Sequence, residues 1–266
     1  FSIAKENDAI VIEDASHALG GKYLSGENIG CCKYSDMTVF SLHPVKGVTA
    51  GEGGVITTNN RELYRKLMRL RSHGICKGNF DFPGISLLDD ELIHRMEASE
   101  NGKLNPWYYE MQQLGFNYRI TDIQCALAIS QLDKLDMFIE RRLEITKKYD
   151  ELFEGSDLIK KTQVHSRSRS ANHLYIIRVN FKKIGITRSN LMGQLKNEGI
   201  GSQVHYVPIP MHPYYTNKGF NINDYPETEK YYREALSIPI FFGLDDNSVC
   251  YVAEKISEIL KNGLDE

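Results

Sequence analysis

Ala9-Ile10-Val11-Ile12 runs straight into Glu13-Asp14. A continuous apolar run closed by carboxylates is the pattern of a strand buried on both faces. Met37 to Ser41 (MTVFS) repeats the pattern, and Gly54 to Thr58 (GVITT) gives it a third time. Asn60 is placed to cap a helix that carries Leu63, Leu67 and Leu70 on one face, and Gly74 is placed to close it. Strands with two apolar faces beside an amphipathic helix imply an α/β layer architecture.

Further along, Lys77 to Met111 mixes acidic, glycine and aromatic residues without a period and reads as a long loop or insertion. Thr121 is set to cap a helix in which Ile123, Leu127, Leu135, Phe138, Ile145 and Leu152 recur at helical spacing. A run that continues to Phe153 exceeds most globular helices, so a kink or break is expected within it. Ser156 to Asn172 is polar and basic and reads as a surface connection. His173 to Phe181 reads as a strand, Thr187 as the cap of a helix ending at Gly199, and Ile200 to Tyr206 as a second strand. A turn through Pro208, Pro210 and Pro213 precedes a helix over Pro226 to Ala235, and Asp246 is the expected cap of a last helix reaching Lys261. The expected domains are therefore residues 1–140, α/β, and residues 141–266, a small α+β domain.

Bulk properties narrow the function. A formal net charge of −3 and a pI near 6.3 offer no basic footprint for nucleic acid. Cys31, Cys32, Cys76, Cys125 and Cys250 form no C-x-x-C pair and are odd in number, which argues against a zinc ribbon or a disulfide framework and fits a reducing cytoplasm. No metal site is expected. No apolar run reaches the roughly 18 residues that span a bilayer. The chain opens on Phe1, without an initiator Met, almost directly into a strand pattern, and so reads as beginning within a domain.

Lys46 lies in Ser41-Leu-His-Pro-Val-Lys46-Gly, after a strand and before Gly51-Glu-Gly-Gly54. Ligands bind at the carboxyl ends of strands in open α/β sheets, and an amine partly withdrawn from water there is a nucleophile for an aldehyde. A solvated loop lysine is the plain alternative. Asp14 ends a strand of the same kind. A buried carboxylate needs a cationic partner, either a protonated pyridine nitrogen or a nearby arginine, unless it serves as an N-cap. Ser41 and the Gly51 to Gly54 stretch offer hydroxyl and backbone donors suited to phosphate, or a glycine-rich hairpin turn. His205-Tyr206, before the proline turn, suits contact with a sugar or base, or packing of the tyrosine between domains.

Taken together these segments resemble the DegT/DnrJ/EryC1/StrS family of sugar aminotransferases, a fold-type-I pyridoxal-phosphate group. The carrying motifs are Val11-Ile-Glu-Asp14-Ala-Ser-His17, Phe40-Ser-Leu-His-Pro-Val-Lys46, Gly51-Glu-Gly-Gly54-Val-Ile-Thr, Arg71-Ser-His-Gly74, Gly115-Phe-Asn117-Tyr-Arg119 and Val204-His-Tyr206, in the family's order. Cys32 to Phe40, Trp107 to Arg119 and Gln203 to Tyr206 are most similar to the members that build pseudaminic acid. The resemblance implies that Lys46 holds pyridoxal 5′-phosphate and then shuttles the proton at the reacting carbon. It implies that Asp14 pairs the ring nitrogen, that His17 lies against the ring or its phenolic oxygen, and that Ser41 binds the phosphate. Asn117 would reach the cofactor phosphate of a neighbouring subunit, which implies a homodimer with shared active sites. His205, Tyr206, Val207 and Pro208 correspond to the substrate-contacting stretch. Glutamate would be the amino donor and a 4-keto-6-deoxy nucleotide sugar, UDP-linked, the acceptor.

The family also carries an N-terminal part of about 100 residues, with a phosphate-binding turn, that has no counterpart here. Residues 1–266 alone are accordingly expected to bind the cofactor poorly and to be inactive. The alternatives are an aminotransferase for another keto sugar and a non-catalytic protein that keeps the fold for regulation.

Overall fold

A computed structural model describes residues 1–77, 99–100, 103–162 and 168–265. The expected loop from Lys77 to Met111 falls largely outside them, as does the middle of the connection from Ser156 to Asn172. The chain forms two compact units: residues 1–15, 30–44 and 50–129, and residues 16–29, 45–49 and 130–266.

The first unit is built on a three-stranded sheet in the order Ile12–Asp14, Met37–Ser41, Gly54–Thr57. The first pair is parallel and the second antiparallel. The strand begins later than the apolar run that announces it, and it is not buried: Ile10 and Ile12 are 62% and 59% exposed. The reason is positional. Ile12 and Asp14 pair in register with Met37 and Val39 and share their face, which is open even on the central strand, whereas Thr38 and Phe40 on the opposite face are buried. Glu13 points to the other side, where its Oε2 accepts from Ser35 Oγ at 2.7 Å and Thr38 Oγ1 at 3.0 Å. Asp36 Oδ2 accepts from the Val11 amide at 2.8 Å and anchors the entry to the strand.

The helix Arg61–Leu70 starts where expected, with Asn60 Oδ1 accepting from the amides of Glu62 and Leu63. Gly74 follows it at φ +71°, and a Cβ there would lie 1.7 Å from the carbonyl oxygen of Gln113, so no other residue fits. That close approach joins Ile75–Lys77 to Tyr109–Met111 as an antiparallel pair. Thr121 caps Asp122–Leu132 through the Gln124 amide, 3.3 Å from Oγ1. The expected break in the long helix falls at residues 133–134, and Leu135–Leu152 continues beyond it.

The second unit has a deep core. Its three-stranded antiparallel sheet, in the order Ala235–Ile238, Tyr175–Val179, Ile159–Lys161, packs with the helices Leu135–Leu152, Arg188–Asn197 and Asp246–Asp265. Ile145, Tyr149, Ile177, Val179, Leu191, Leu195, Leu236 and Ile256 are fully buried in one cluster. Tyr149 stacks on Phe153 at 5.9 Å and donates to the Pro239 carbonyl at 3.0 Å.

Two expectations are corrected in this unit. Ile200 to Tyr206 is not a strand: it touches the sheet at one bridge, Gln203 to Ser237, because only those two residues exchange amide and carbonyl bonds. The last helix is capped by Asp245 rather than Asp246, since Asp245 Oδ1 accepts from the Ser248 amide at 2.7 Å. A two-stranded antiparallel pairing of Lys22–Tyr23 with Ser168–Arg169 has no counterpart in the sequence reading. No helix of the described residues is long and apolar enough to cross a membrane.

Candidate active site

The expected site residues are distributed over the two units. In the first, Asp14 and Ser41 close the two parallel strands at their carboxyl ends. Asp14 is exposed, contrary to the buried setting expected for it, because it lies on the face of the sheet that stays open, beside Val39. Ser41 is half-buried, and its Oγ accepts from the His43 amide at 3.3 Å. The end of the glycine stretch extends the pairing of the two strands, with Leu42 donating to the Gly53 carbonyl at 2.9 Å and Ala50 to the Leu42 carbonyl at 3.0 Å. Gly53 sits at φ +138°, where a Cβ would meet Ile120 at 3.0 Å. Asn117 is exposed and pinned by its bridge to Ser72, flanked by Phe116 and Tyr118, whose rings stack at 4.7 Å.

In the second unit, Lys46 is half-buried and shares its surroundings with three imidazoles. His17 is exposed and leans on His173 with ring centroids 4.6 Å apart. Tyr206 lies 6.5 Å from His17 and meets the His205 ring edge-on at 4.6 Å. Tyr206 and Val207 are exposed at 61% and 43%, whereas Pro208 is buried. The His205–Tyr206 peptide bond is cis.

His173 is held from behind. Arg142 Nη1 donates to the carbonyls of Asn172 at 3.3 Å, His173 at 2.9 Å and Ile240 at 3.0 Å. Burial lowers the Arg142 guanidinium from its ordinary value. Burial, with the charges of His17, Arg142, Lys46 and His205, pushes the His173 imidazole down to about 3, so it is neutral at physiological pH. Its buried Nδ1 has no hydrogen-bond partner among the described residues. His205 is lowered by burial and then by Lys46. Its Nδ1 lies 2.7 Å from Ser237 Oγ.

The structure thus gathers Lys46, His17, His205 and Tyr206 in one unit and Asp14 and Ser41 in the other. His173, Arg142 and Ser237 carry no sequence signal as site residues. His173 opens a strand pattern, Arg142 stands in a helix of many charges, and Ser237 is one hydroxyl within a short apolar strand. Only the fold places them.

Comparison with known proteins places the chain among sugar aminotransferases. The UDP-4-amino-4,6-dideoxy-N-acetyl-beta-L-altrosamine transaminase of Campylobacter jejuni is 34% identical over 98% of this chain and 61% of that protein. The structure of Helicobacter pylori PseC, an aminotransferase involved in pseudaminic acid biosynthesis, superposes with a TM-score of 0.81 at 28% identity, covering 98% of this chain and 62% of that one. Spr1654 of Streptococcus pneumoniae in its PLP form superposes at 0.78 with 28% identity, covering 96% and 58%. The chain therefore spans about three fifths of the length of the relatives it matches. The model of one family matches residues 2–257. With that match, and the α/β layers its structural neighbours share, the chain belongs to the DegT/DnrJ/EryC1/StrS aminotransferase family.

Proposed function

We propose that the protein carrying this chain is a pyridoxal-phosphate-dependent aminotransferase that moves an amino group from glutamate to a 4-keto-6-deoxy sugar linked to UDP. Its product would feed a surface-glycan or flagellin sugar of the pseudaminic acid type. The observation that carries the reading is the half-buried Lys46 in a unit with the neutral His173 imidazole, within a chain 34% identical to a nucleotide-sugar transaminase.

Members of the family depend on pyridoxal phosphate, and the donor set here suits that group. An amine, an exposed carboxylate and a strand-end hydroxyl are the partners an aldehyde, a pyridine nitrogen and a phosphate require. The cofactor, when bound, supplies an aldehyde and an electron sink. In this reading Lys46 holds it, and its amine, once released, carries the proton to and from the reacting carbon as general acid and base. The Asp14 carboxylate holds a proton on the ring nitrogen. His17 orients the ring, and the Ser41 hydroxyl binds the phosphate. Asn117 reaches the phosphate in the neighbouring subunit of a homodimer with shared sites. His205, Tyr206, Val207 and Pro208 contact the nucleotide sugar. Residues 1–140 belong to the cofactor-binding domain and residues 141–266 form the small domain. A cytoplasmic location agrees with the free thiols.

Amino transfer in the full-length protein tests this. Glutamate should convert bound cofactor to its amine form, and a UDP-4-keto sugar should then recover the original spectrum and gain nitrogen. Cofactor that never responds to an amino donor would favour the regulatory reading. Conversion without transfer to any UDP-linked sugar would remove the substrate assignment.

A further inference from the structure

We propose that Ser237 is a positioning residue: its hydroxyl donates to Nδ1 of His205 and fixes the imidazole with its proton on Nε2. His205 then presents a standing N–H donor to an acceptor oxygen of the ligand. The ligand half of this rests on the reading of His205 as a substrate contact.

Ser237 is 6% exposed in a strand whose four residues are all buried. It stands opposite Ile176 in the sheet, and its backbone is held by Gln203, which donates to its carbonyl at 3.0 Å and accepts from its amide at 2.8 Å. His205 follows Gln203 by two residues, so the bridge that fixes Ser237 also fixes the approach of the imidazole. The Oγ to Nδ1 distance is 2.7 Å.

The direction of that bond follows from counting donors. A serine hydroxyl has one proton to place and two lone pairs. Were Nδ1–H the donor, the hydroxyl proton would need another acceptor, and no second partner of Ser237 Oγ exists among the described residues. A buried donor left unmade is costly, whereas an acceptor with one unused lone pair is common. The hydroxyl therefore donates, Nδ1 accepts, and the neutral ring keeps its proton on Nε2. Burial and then the Lys46 charge lower the His205 imidazole and so favour its neutral form.

The ligand atom that matches is an acceptor oxygen, either a phosphate oxygen or a carbonyl or hydroxyl oxygen of the sugar. Ligand-free full-length protein with nitrogen-15-labelled histidine, with His205 assigned by its loss in His205→Gln, tests the first half. Nδ1 should show the shift of an acceptor nitrogen and Nε2 that of a protonated one, and Ser237→Ala should mix the two tautomers. A proton on Nδ1 in the wild type overturns the proposal. Kinetics test the second half. Ser237→Ala should raise KM for the nucleotide sugar about fivefold, the worth of one hydrogen bond, and leave the glutamate half-reaction unchanged. Ser237→Thr should restore it.

An unchanged KM, or an equal loss in both half-reactions, overturns the proposal. If alanine lowers the melting temperature, Ser237→Cys, with its weak donor, replaces it and should give the same mixed tautomers. Inhibition by UDP alone that weakens in Ser237→Ala as much as sugar-nucleotide affinity does assigns the oxygen to phosphate, and UDP inhibition that is unchanged assigns it to the sugar. A wild type without amino transfer removes the substrate reading but leaves the tautomer measurement standing.

Discussion

The sheet of the first unit and the sheet of the second contain similar apolar strands and bury them very differently. In the first, Ile12, Val55 and Ile56 remain 59%, 43% and 45% exposed. In the second, Ile177 and Val179 on the central strand are fully buried beneath helices from the same unit. An apolar run therefore announces a strand but does not say what covers it. What distinguishes the second unit is that its strands and helices share one buried cluster, whereas the helix Arg61–Leu70 of the first buries none of its residues.

That contrast can be broken by mutation. Ile177→Ala should cost about 3 kcal/mol in denaturant unfolding, from lost transfer energy and a cavity. Ile12→Ala should stay within about 0.5 kcal/mol, as surface changes do. Equal costs would mean that the exposed sheet is packed as deeply as the core.

Arg142 gives the next largest effect. It is a buried charge whose head serves three carbonyls at the end of the strand connection. Arg142→Met should cost about 2 kcal/mol by leaving those acceptors unmade. The His173 resonances should move with it, whereas a mutation of the first unit should leave them in place.

A pH dependence of comparable size comes from the same unit. The folded His173 titrates at about 3, below its ordinary value, so in the range from there to about 6.5 the unfolded chain binds the extra proton. Stability is thus lost as pH falls through the ordinary histidine range. His173→Phe keeps a ring against His17 and removes the titration, so the difference in unfolding free energy between pH 7 and pH 4.5 should shrink. An unchanged slope would show that His173 is protonated in the folded protein.

Much of this was legible in sequence because it depends on neighbours in the chain. Asn60 and Thr121 cap helices through amides two or three residues on, and Gly74 marks a position that only glycine can fill. Asp14 and Ser41 stand out as candidates because each ends a strand, and Lys46 because it follows one. What escaped depends on long-range geometry. Ile200 to Tyr206 has a strand's composition but a single bridge, since only the fold decides how far two segments run together. The choice of Asp245 over Asp246 as cap turns on one residue of helix phase. His173, Arg142 and Ser237 work through partners 30 or more residues away.

The central claim is that Lys46 is the residue that holds the cofactor. Full-length protein incubated with pyridoxal phosphate, reduced with borohydride and digested should carry the pyridoxyl group on the peptide containing Lys46, and Lys46→Ala should carry none. The group on another lysine, or on none in a correctly folded wild type, would contradict the account.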